Sequence, residues 1–316
     1  MSEKMILICT DVSEASSDVV CSWLQYNNKK FLRISYENII TIKTVFIKDD
    51  KVDFLFSIDD TDYHLSDFKS YWYRRSRLKF APFSVVEYIH EGVDLSNRMN
   101  AFLEEEYFKL IEFFQYEINK IAVLNRYEDN NINKLQVLSM ARDCGINIPE
   151  TSILDNAISP DVNQNEYITK AISDFILYDD KSNYFCTTDY ISVDGPFSYS
   201  LIQKEVKKKF EIRSFFMKGK FFSSAIFSQE NEKTKLDFRN YDFENPNRVV
   251  PFSMPAWLEE RLAQLMQRIG LNSGSFDLAY THDNKYVLFE VNPVGQFEQV
   301  SFPCNYSIHK LIAHEL

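Results

Sequence analysis

The spacing of apolar and polar positions changes along the chain, and the changes mark its elements. Met5 to Thr10 is an almost continuous apolar run, the pattern of a buried strand. Ser16 to Tyr26 has helical spacing through Val19, Val20, Trp23 and Leu24, and Phe31 to Ile34 reads as a second strand. Thr44 to Ile58 alternates on either side of Lys51, which predicts a hairpin. Tyr71-Trp72-Tyr73 ends a further strand on the cations Arg74 and Arg75. Together these predict a compact α/β unit. From Arg98 to Lys120 apolar residues return at helical intervals, through Phe102, Leu103, Leu110, Phe113, Phe114 and Ile118, so a long helix leads out of that unit. Ile121 to Leu124 is a brief strand, and Asn133 to Cys144 is a helix that Gly145 and Pro149 close.

The second half is strand-rich. Tyr167 to Ser173, Tyr184 to Thr187 and Ile191 to Val193 read as short strands, and Leu201 to Glu205 as a connecting segment. Phe210 to Met217 and Lys220 to Phe227 flank Lys218-Gly219, a tight-turn signal. Phe215, Phe216, Phe221 and Phe222 exceed what one buried face of that hairpin uses, and alternation sends about half of them to the other side. That second face is either a groove for a peptide or is covered by a helix of the same chain. Trp257 to Ile269 is amphipathic, with Leu258, Leu262, Leu265, Met266 and Ile269 on one stripe. A hairpin and a short helix end the chain.

The 316 residues suggest about two domains at roughly 150 residues each. A hydrophobic content of 45% supplies a core and excludes a disordered chain. With 46 acidic against 35 basic residues, the net charge of −11 argues against general nucleic-acid binding, which needs a basic field. No run approaches the ~20 apolar residues of a membrane-spanning helix, and Asp11 interrupts the start too early for a signal peptide. Cys9, Cys21, Cys144, Cys186 and Cys304 form no C-x-x-C pair, so neither a zinc site nor a disulfide framework is indicated, and a cytoplasmic protein is expected. The 7 glycines compose no G-x-G-x-x-G, no G-x-x-x-x-G-K-[ST] and no G-x-S-x-G. A nucleotide bound here needs a different cradle.

The richest stretch is Gly274 to Pro293. Asp283-Asn284 sits at the centre of a turn, and pairing outward from it sets Tyr280 opposite Val287, Leu278 opposite Phe289 and Phe276 opposite Val291 as a core face. The other face then carries Asp277 opposite Glu290, with Asn292 pointing the same way as Glu290. Like charges directly opposite each other repel unless something positive lies between them. Two carboxylates and an amide are hard oxygen ligands suited to magnesium bound together with phosphates. The plain alternative is a solvated sheet face.

Cations precede this hairpin. Alternation puts Lys170 between Ile168 and Ile172, where it either meets an anion such as an ATP phosphate or snorkels to water. Glu211 and Arg213 share a strand face opposite Phe210, Ile212 and Ser214. An arginine fork grips phosphate or carboxylate at two points. The run Lys207-Lys208-Lys209 reads as a solvated turn or as an attractor of acidic substrate, and Asp237-Phe238-Arg239-Asn240 places a further arginine in a polar loop.

The order of these elements resembles the ATP-grasp carboxylate–amine ligases: the Asn133-Lys134 helix, the strand lysine, Gln203-Lys204-Glu205-Val206, Glu211-x-Arg213, Asp237-x-Arg239, Asp277 and Glu290-x-Asn292. The likeness is closer to the graspetide synthetases, the peptide-maturing ligases of the microviridin type, and among them to the grasp-with-spasm branch. Tyr71-Trp72-Tyr73-Arg74-Arg75, Glu211-Ile212-Arg213 and Glu290-Val291-Asn292-Pro293-Val294-Gly295-Gln296-Phe297 carry it. The resemblance implies an α+β chain: an N-terminal α/β domain over 1–122, a central lobe over 123–205 and a C-terminal lobe over 206–316, the lobes holding ATP. It implies that Lys170 and Lys134 contact phosphates and that Gln203, Lys204, Glu205 and Val206 line the adenine. Glu211 belongs with these nucleotide-binding residues. Asp277, Glu290 and Asn292 would hold magnesium, and Arg213 and Arg239 would take the acylphosphate and the substrate carboxylate. The implied partner is a ribosomal precursor peptide whose Asp or Glu side chain is activated and then closed onto Ser, Thr or Lys, and the implied assembly is a homodimer. The competing readings are another ATP-grasp ligase acting on a protein tail or on small metabolites, and a non-catalytic ATP-binding peptide scaffold.

Overall fold

The computed structural model describes residues 4–155, 166–173, 177–178, 183–184, 188–191, 198–238, 240 and 242–316. The chain divides into two compact units, Met1–Glu128 with Ile308–Leu316, and Asp129–Ser307.

The first unit begins with β1 (Met5–Cys9), α1 (Ala15–Tyr26) and β2 (Phe31–Ile34). It continues with β3 (Ile39–Lys48), β4 (Lys51–Ile58), β5 (Thr61–His64), β6 (Phe68–Tyr73) and β7 (Lys79–Phe80). The short β8 (Ile89–His90) and β9 (Val93–Asp94) precede α2 (Ser96–Asn119). β1 lies between β2 and β6, parallel to both, and Ile6, Leu7, Ile8 and Cys9 are all buried. A central parallel strand covered on both faces requires such an unbroken apolar run. The second sheet has the order β5-β4-β3-β7, and its Phe54 and Phe56 meet Phe114 of α2 edge-on at 5.2 and 5.1 Å. The stretch expected as a strand at Ile121 to Leu124 makes only an isolated parallel bridge, Ala122 to Tyr71. Arg74 does not end β6 in solvent: it is buried, and its Nη2 lies 3.1 Å from Glu14, the N-cap of α1.

The second unit opens with α3 (Lys134–Asp143), capped by Asn133 Oδ1, which accepts from the amides of Leu135 and Gln136. Then come β10 (Thr151–Leu154), β11 (Tyr167–Lys170), β12 (Leu177–Tyr178), β13 (Asn183–Tyr184), β14 (Asp189–Tyr190) and β15 (Ser200–Lys204). β10, β15, β11 and β14 form one sheet in that order. The expected connector Leu201 to Glu205 is therefore mostly an internal strand, antiparallel to β10 and β11, with Leu201 and Ile202 buried. The lysine-bearing strand stops at Lys170, short of Ser173. Residues 185–187 and 192–193 of the other two expected strands lie outside the described residues.

β16 (Lys208–Met217), β17 (Lys220–Phe227), β18 (Arg248–Phe252), α4 (Ala256–Ile269), β19 (Ser273–Thr281), β20 (Tyr286–Asn292) and α5 (Glu298–Cys304) complete the unit. α6 (Ile308–Glu315) belongs to the first. The five-stranded sheet runs β18-β17-β16-β19-β20. One face buries Ile212, Phe216, Phe276, Leu278, Leu288 and Val291 against Leu258, Leu262, Leu265 and Met266 of α4. On the other, Phe215 packs on Phe297 at 5.2 Å and Phe222 on Tyr306 at 5.8 Å, residues flanking α5. The second face of the β16–β17 hairpin is thus covered by its own chain, which removes the expectation of an open peptide groove there.

Candidate active site

The hairpin of β19 and β20 supplies the acidic part of the site. Phe276 pairs with Val291 and Asp277 with Glu290, as alternation about the turn requires. Closer to the turn the register slips: Leu278 pairs with Leu288, Ala279 with Val287 and Tyr280 with Tyr286. The expected pairs Leu278–Phe289 and Tyr280–Val287 do not form. A β-bulge inserts Phe289 as an extra residue, and the inserted side chain leaves the face that alternation assigned to it. Leu288 takes its place in the core, and Phe289 lines a pocket beside Glu290.

Asn292 stands across from Ser275, and its Nδ2 lies 3.2 Å from Glu290 Oε1 and 3.4 Å from Asp277 Oδ2. The three predicted ligands therefore converge. Arg213 pairs with Asp277 across the β16–β19 ladder, and its Nη1 donates to both carboxylate oxygens at 2.5 and 2.6 Å. Among the described residues no group of three or more His, Cys, Asp or Glu side chains is placed to hold a metal. Asp277 and Glu290 with the Asn292 amide are a different donor set. Turning that amide over presents Oδ1 where Nδ2 now points. Two carboxylates and an amide oxygen fit magnesium, which leaves further coordination positions to water and phosphate.

A second bulge shapes the cationic part. In the β16–β19 ladder the register shifts between Lys208 and Phe210, so that Lys209 is the extra residue. Lys209 is exposed, whereas Lys208 turns inward with a relative exposure of 6%. Its Nζ lies 2.9 Å from Glu211 Oε1 and donates to the Leu236 carbonyl at 2.9 Å. The expectation of a solvated lysine turn fails at this residue. Glu211 is buried too, and Ser228 Oγ donates to it at 3.0 Å. Burial pushes the Glu211 carboxyl above its ordinary range, with Lys208 and Ser228 pulling the other way.

These groups share one pocket. Gln203, Lys204, Glu205 and Val206 form one wall with Ile168 and Lys170. Lys208, Glu211, Leu236 and Asp237 form another, and Asp277, Phe289 and Glu290 a third. Lys170 Nζ sits 4.9 Å from the centre of the Phe289 ring, and Lys208 Nζ 5.6 Å from it. Gln203 is fixed through Nε2 to Thr151 Oγ1 at 3.0 Å, and Thr188 Oγ1 donates to Asp237 Oδ2 at 3.2 Å.

No family model matches the sequence, and no curated protein does. Solved structures do. A RiPP-associated ATP-grasp ligase of Chryseobacterium gregarium, in complex with ADP and a leader and core peptide, superposes with a TM-score of 0.73 at 20% identity, covering 99% of this chain and 95% of its own. The macrocyclase MdnC of Microcystis aeruginosa, bound with precursor peptide MdnA, gives 0.71 at 22% identity and 98% of both chains. The ATP-grasp ligase PsnB, complexed with minimal precursor, Mg and ADP, gives 0.64 at 12% identity, covering 99% of this chain and 96% of its own. The fold is that of the ATP-grasp ligases. On this fold, the predicted Lys170, Gln203, Lys204, Glu205, Val206, Glu211, Asp277 and Glu290 all line the one pocket. Arg213 and Asn292 reach it through Asp277 and Glu290. Lys134 opens α3 and is not among the residues lining the pocket. Arg239 lies outside the described residues, although Asp237 of its motif is in place. Sequence reasoning missed Lys208, Phe289 and Thr188. No helix among the described residues is long and apolar enough to cross a membrane.

Proposed function

We propose that this chain is an ATP-dependent ligase that activates Asp or Glu side chains of a ribosomally made precursor peptide and closes them onto Ser, Thr or Lys side chains as ester or amide rings. The observation that carries the reading is the single pocket in which Lys170, the Gln203–Val206 wall and the Asp277–Glu290–Asn292 set meet on an ATP-grasp fold. That the peptide is the substrate is supported by two of the similar solved structures, one in complex with a leader and core peptide and the other bound with a precursor peptide.

In this reading the Gln203–Val206 segment and Phe289 receive the adenine end of ATP, and Lys170 meets its phosphates. Asp277, Glu290 and Asn292 would hold magnesium, whose positive charge would offset the charge on the transferred phosphoryl group. A substrate carboxylate attacks the γ-phosphorus, releasing ADP and forming an acylphosphate. A hydroxyl or amine of the same peptide then attacks the acyl carbon, losing its proton as phosphate departs. Arg213 orients the carboxylate and its acylphosphate, and we assign Arg239 to the same task. Such chemistry needs fixed positive charge and alignment more than a nucleophilic side chain. We assign the four-stranded sheet with α3 to the lobe 123–205 and the five-stranded sheet to the lobe 206–316. The first lobe follows an N-terminal domain over 1–122. Cys9, Cys21, Cys144 and Cys304 are free thiols, which suits a cytoplasmic enzyme, and a homodimer completes the proposal.

The test is coexpression with the short, Ser/Thr- and Asp/Glu-rich peptide encoded beside the gene, followed by mass spectrometry. Each ring closed removes one water, and ADP must form in step with it. ATP turnover driven by a small acid and amine, with every peptide left at its full mass, would move the protein to the metabolite ligases.

A further inference from the structure

Lys208 is a charged side chain with 6% exposure that the reaction scheme does not use. An ammonium has three protons to give and no more. Two are directed at Glu211 Oε1 and the Leu236 carbonyl, each at 2.9 Å, and the Phe289 ring lies on a further side, 5.6 Å from Nζ. The protein itself thus takes up two of the three protons that a phosphate contact would draw on. What the two strong bonds join is distinctive. Glu211 lies on β16, two residues before Arg213, whereas Leu236 directly precedes Asp237 in the loop after β17. Both Glu211 and Asp237 line the pocket.

We propose that Lys208 is a positioning residue that clamps β16 to the Leu236–Asp237 loop, holding the carboxylates of Glu211 and Asp237 in place around the bound substrate. This rests on the proposed ligase function. The clamp depends on the bulge at Lys209, because without that extra residue Lys208 would share the core-facing side of Phe210 and Ile212. Lys170 has a different setting, at the end of β11 with its Nζ 4.9 Å from the centre of the same ring, and its assignment as a phosphate contact is unaffected.

The experiment compares full-length Lys208→Met, Lys208→Arg and, as a control, Lys209→Met, whose native ammonium is exposed and bonds Asn284 Oδ1 at 2.9 Å. Loss of alignment without loss of a ligand contact predicts that Lys208→Met lowers kcat for peptide modification about a hundredfold. The KM for ATP should move less than about threefold. Lys208→Arg, which restores charge and donors, should recover activity to within about tenfold of wild type, and Lys209→Met should match wild type. Amide exchange at Asp237 and Phe238 should accelerate in Lys208→Met and not in Lys209→Met. If Lys208→Met does not fold, Lys208→Met with Glu211→Gln removes both buried charges together, and the same amides should still exchange faster because the bond to Leu236 is gone. A raised KM for ATP at unchanged kcat would overturn the proposal in favour of direct nucleotide contact, and unaltered exchange would overturn the clamp. A wild-type protein that modifies no peptide would sink the peptide-ligase reading, and the exchange comparison would still decide the clamp.

Discussion

Asp277 stands directly across the β19–β20 ladder from Glu290, and the two carboxylates share one pocket. Like charges at that spacing destabilise a sheet unless a cation intervenes. Arg213 compensates Asp277 through a two-point contact, and the Asn292 amide reaches Glu290. The arrangement is costly as architecture and apt as a metal cradle. Glu290→Gln keeps the shape and removes one anionic ligand. Magnesium-dependent ATP turnover should fall by about two orders of magnitude or more, with the melting temperature unchanged or higher. A variant that modifies peptide at the native rate would show that the hairpin holds no metal.

Phe289 connects two lysines, and that makes a second prediction. A ring face within about 6 Å of an ammonium contributes about 0.5–1 kcal/mol per contact where partly exposed. Lys170 and Lys208 both meet that criterion. Phe289→Leu retains apolar bulk and loses the ring face, so nucleotide affinity should weaken roughly three- to tenfold. Lys170→Met should cost more affinity than this while leaving thermal stability unchanged or raised, because it spares the interior a charge. Titration calorimetry with ADP measures both. Equal affinities for wild type and Lys170→Met would return Lys170 to the role of a snorkelling side chain.

The two departures of the structure from the sequence pattern in this site share a cause. Pairing outward from Asp283-Asn284 located Asp277, Glu290 and Asn292 because the strands turn about Asp283 and the extra residue Phe289 then restores the assumed register from Asp277–Glu290 outward. It misassigned Phe289 because that residue is the bulge, and the solvated turn read at Lys207-Lys208-Lys209 fails at Lys208 because the extra residue Lys209 reverses the face of its neighbour. A bulge is decided by how two strands fit together, and no local spacing reports it. β15 was hidden for a related reason. Its Leu201, Ile202 and Gln203 are all buried, so it has no polar face to give a period of two. The long helices and β1 were plain because their burial is one-sided or complete over a whole element.

In the first unit, Glu14 and Arg74 make a pH-dependent contribution that can be measured apart from any activity. Burial alone would raise the Glu14 carboxyl. Arg74, together with bonds from Ser16 and Ser17, outweighs it and holds the group below its ordinary value. A carboxylate held down in this way stabilises the fold above its ordinary pKa, and the contribution is lost as pH falls through the depressed value. Arg74→Met leaves burial dominant, so it should destabilise by about 3 kcal/mol near neutrality. The deficit should shrink as acid protonates Glu14 in the variant first. His309, whose imidazole burial holds below its usual pKa, faces the same pair, so the comparison is best made with His309→Gln in both proteins. Melting temperatures between about pH 7 and about pH 4 report it. A deficit independent of pH would show that Arg74 acts by packing alone.

The last prediction concerns a residue that touches no ligand. A Cβ placed on Gly295 would lie 2.0 Å from Ser275 Oγ, 2.3 Å from Ser275 Cβ and 2.8 Å from the Ser275 amide nitrogen. Ser275 is the cross-strand partner of Asn292, and Gly295 follows Asn292-Pro293 by two residues. The chain therefore folds back on the strand that pairs with the proposed metal ligand, and only a glycine permits that approach. Gly295→Ala must push this return away from β19, and the segment it pulls on begins at Asn292. Peptide modification should fall about a hundredfold, as expected for a displacement on the order of 1 Å. The melting temperature should drop by only a few degrees, because the core face of Phe276, Leu278, Leu288 and Val291 is untouched. Adding Ser275→Gly removes the two nearest atoms and leaves the amide nitrogen, so the double variant should regain part of the activity. The diagnostic is the magnesium dependence: Gly295→Ala should need more magnesium for half-maximal rate, and the double variant less than the single. Native activity in Gly295→Ala would mean that the return loop yields freely and that Asn292 is held by the ladder alone.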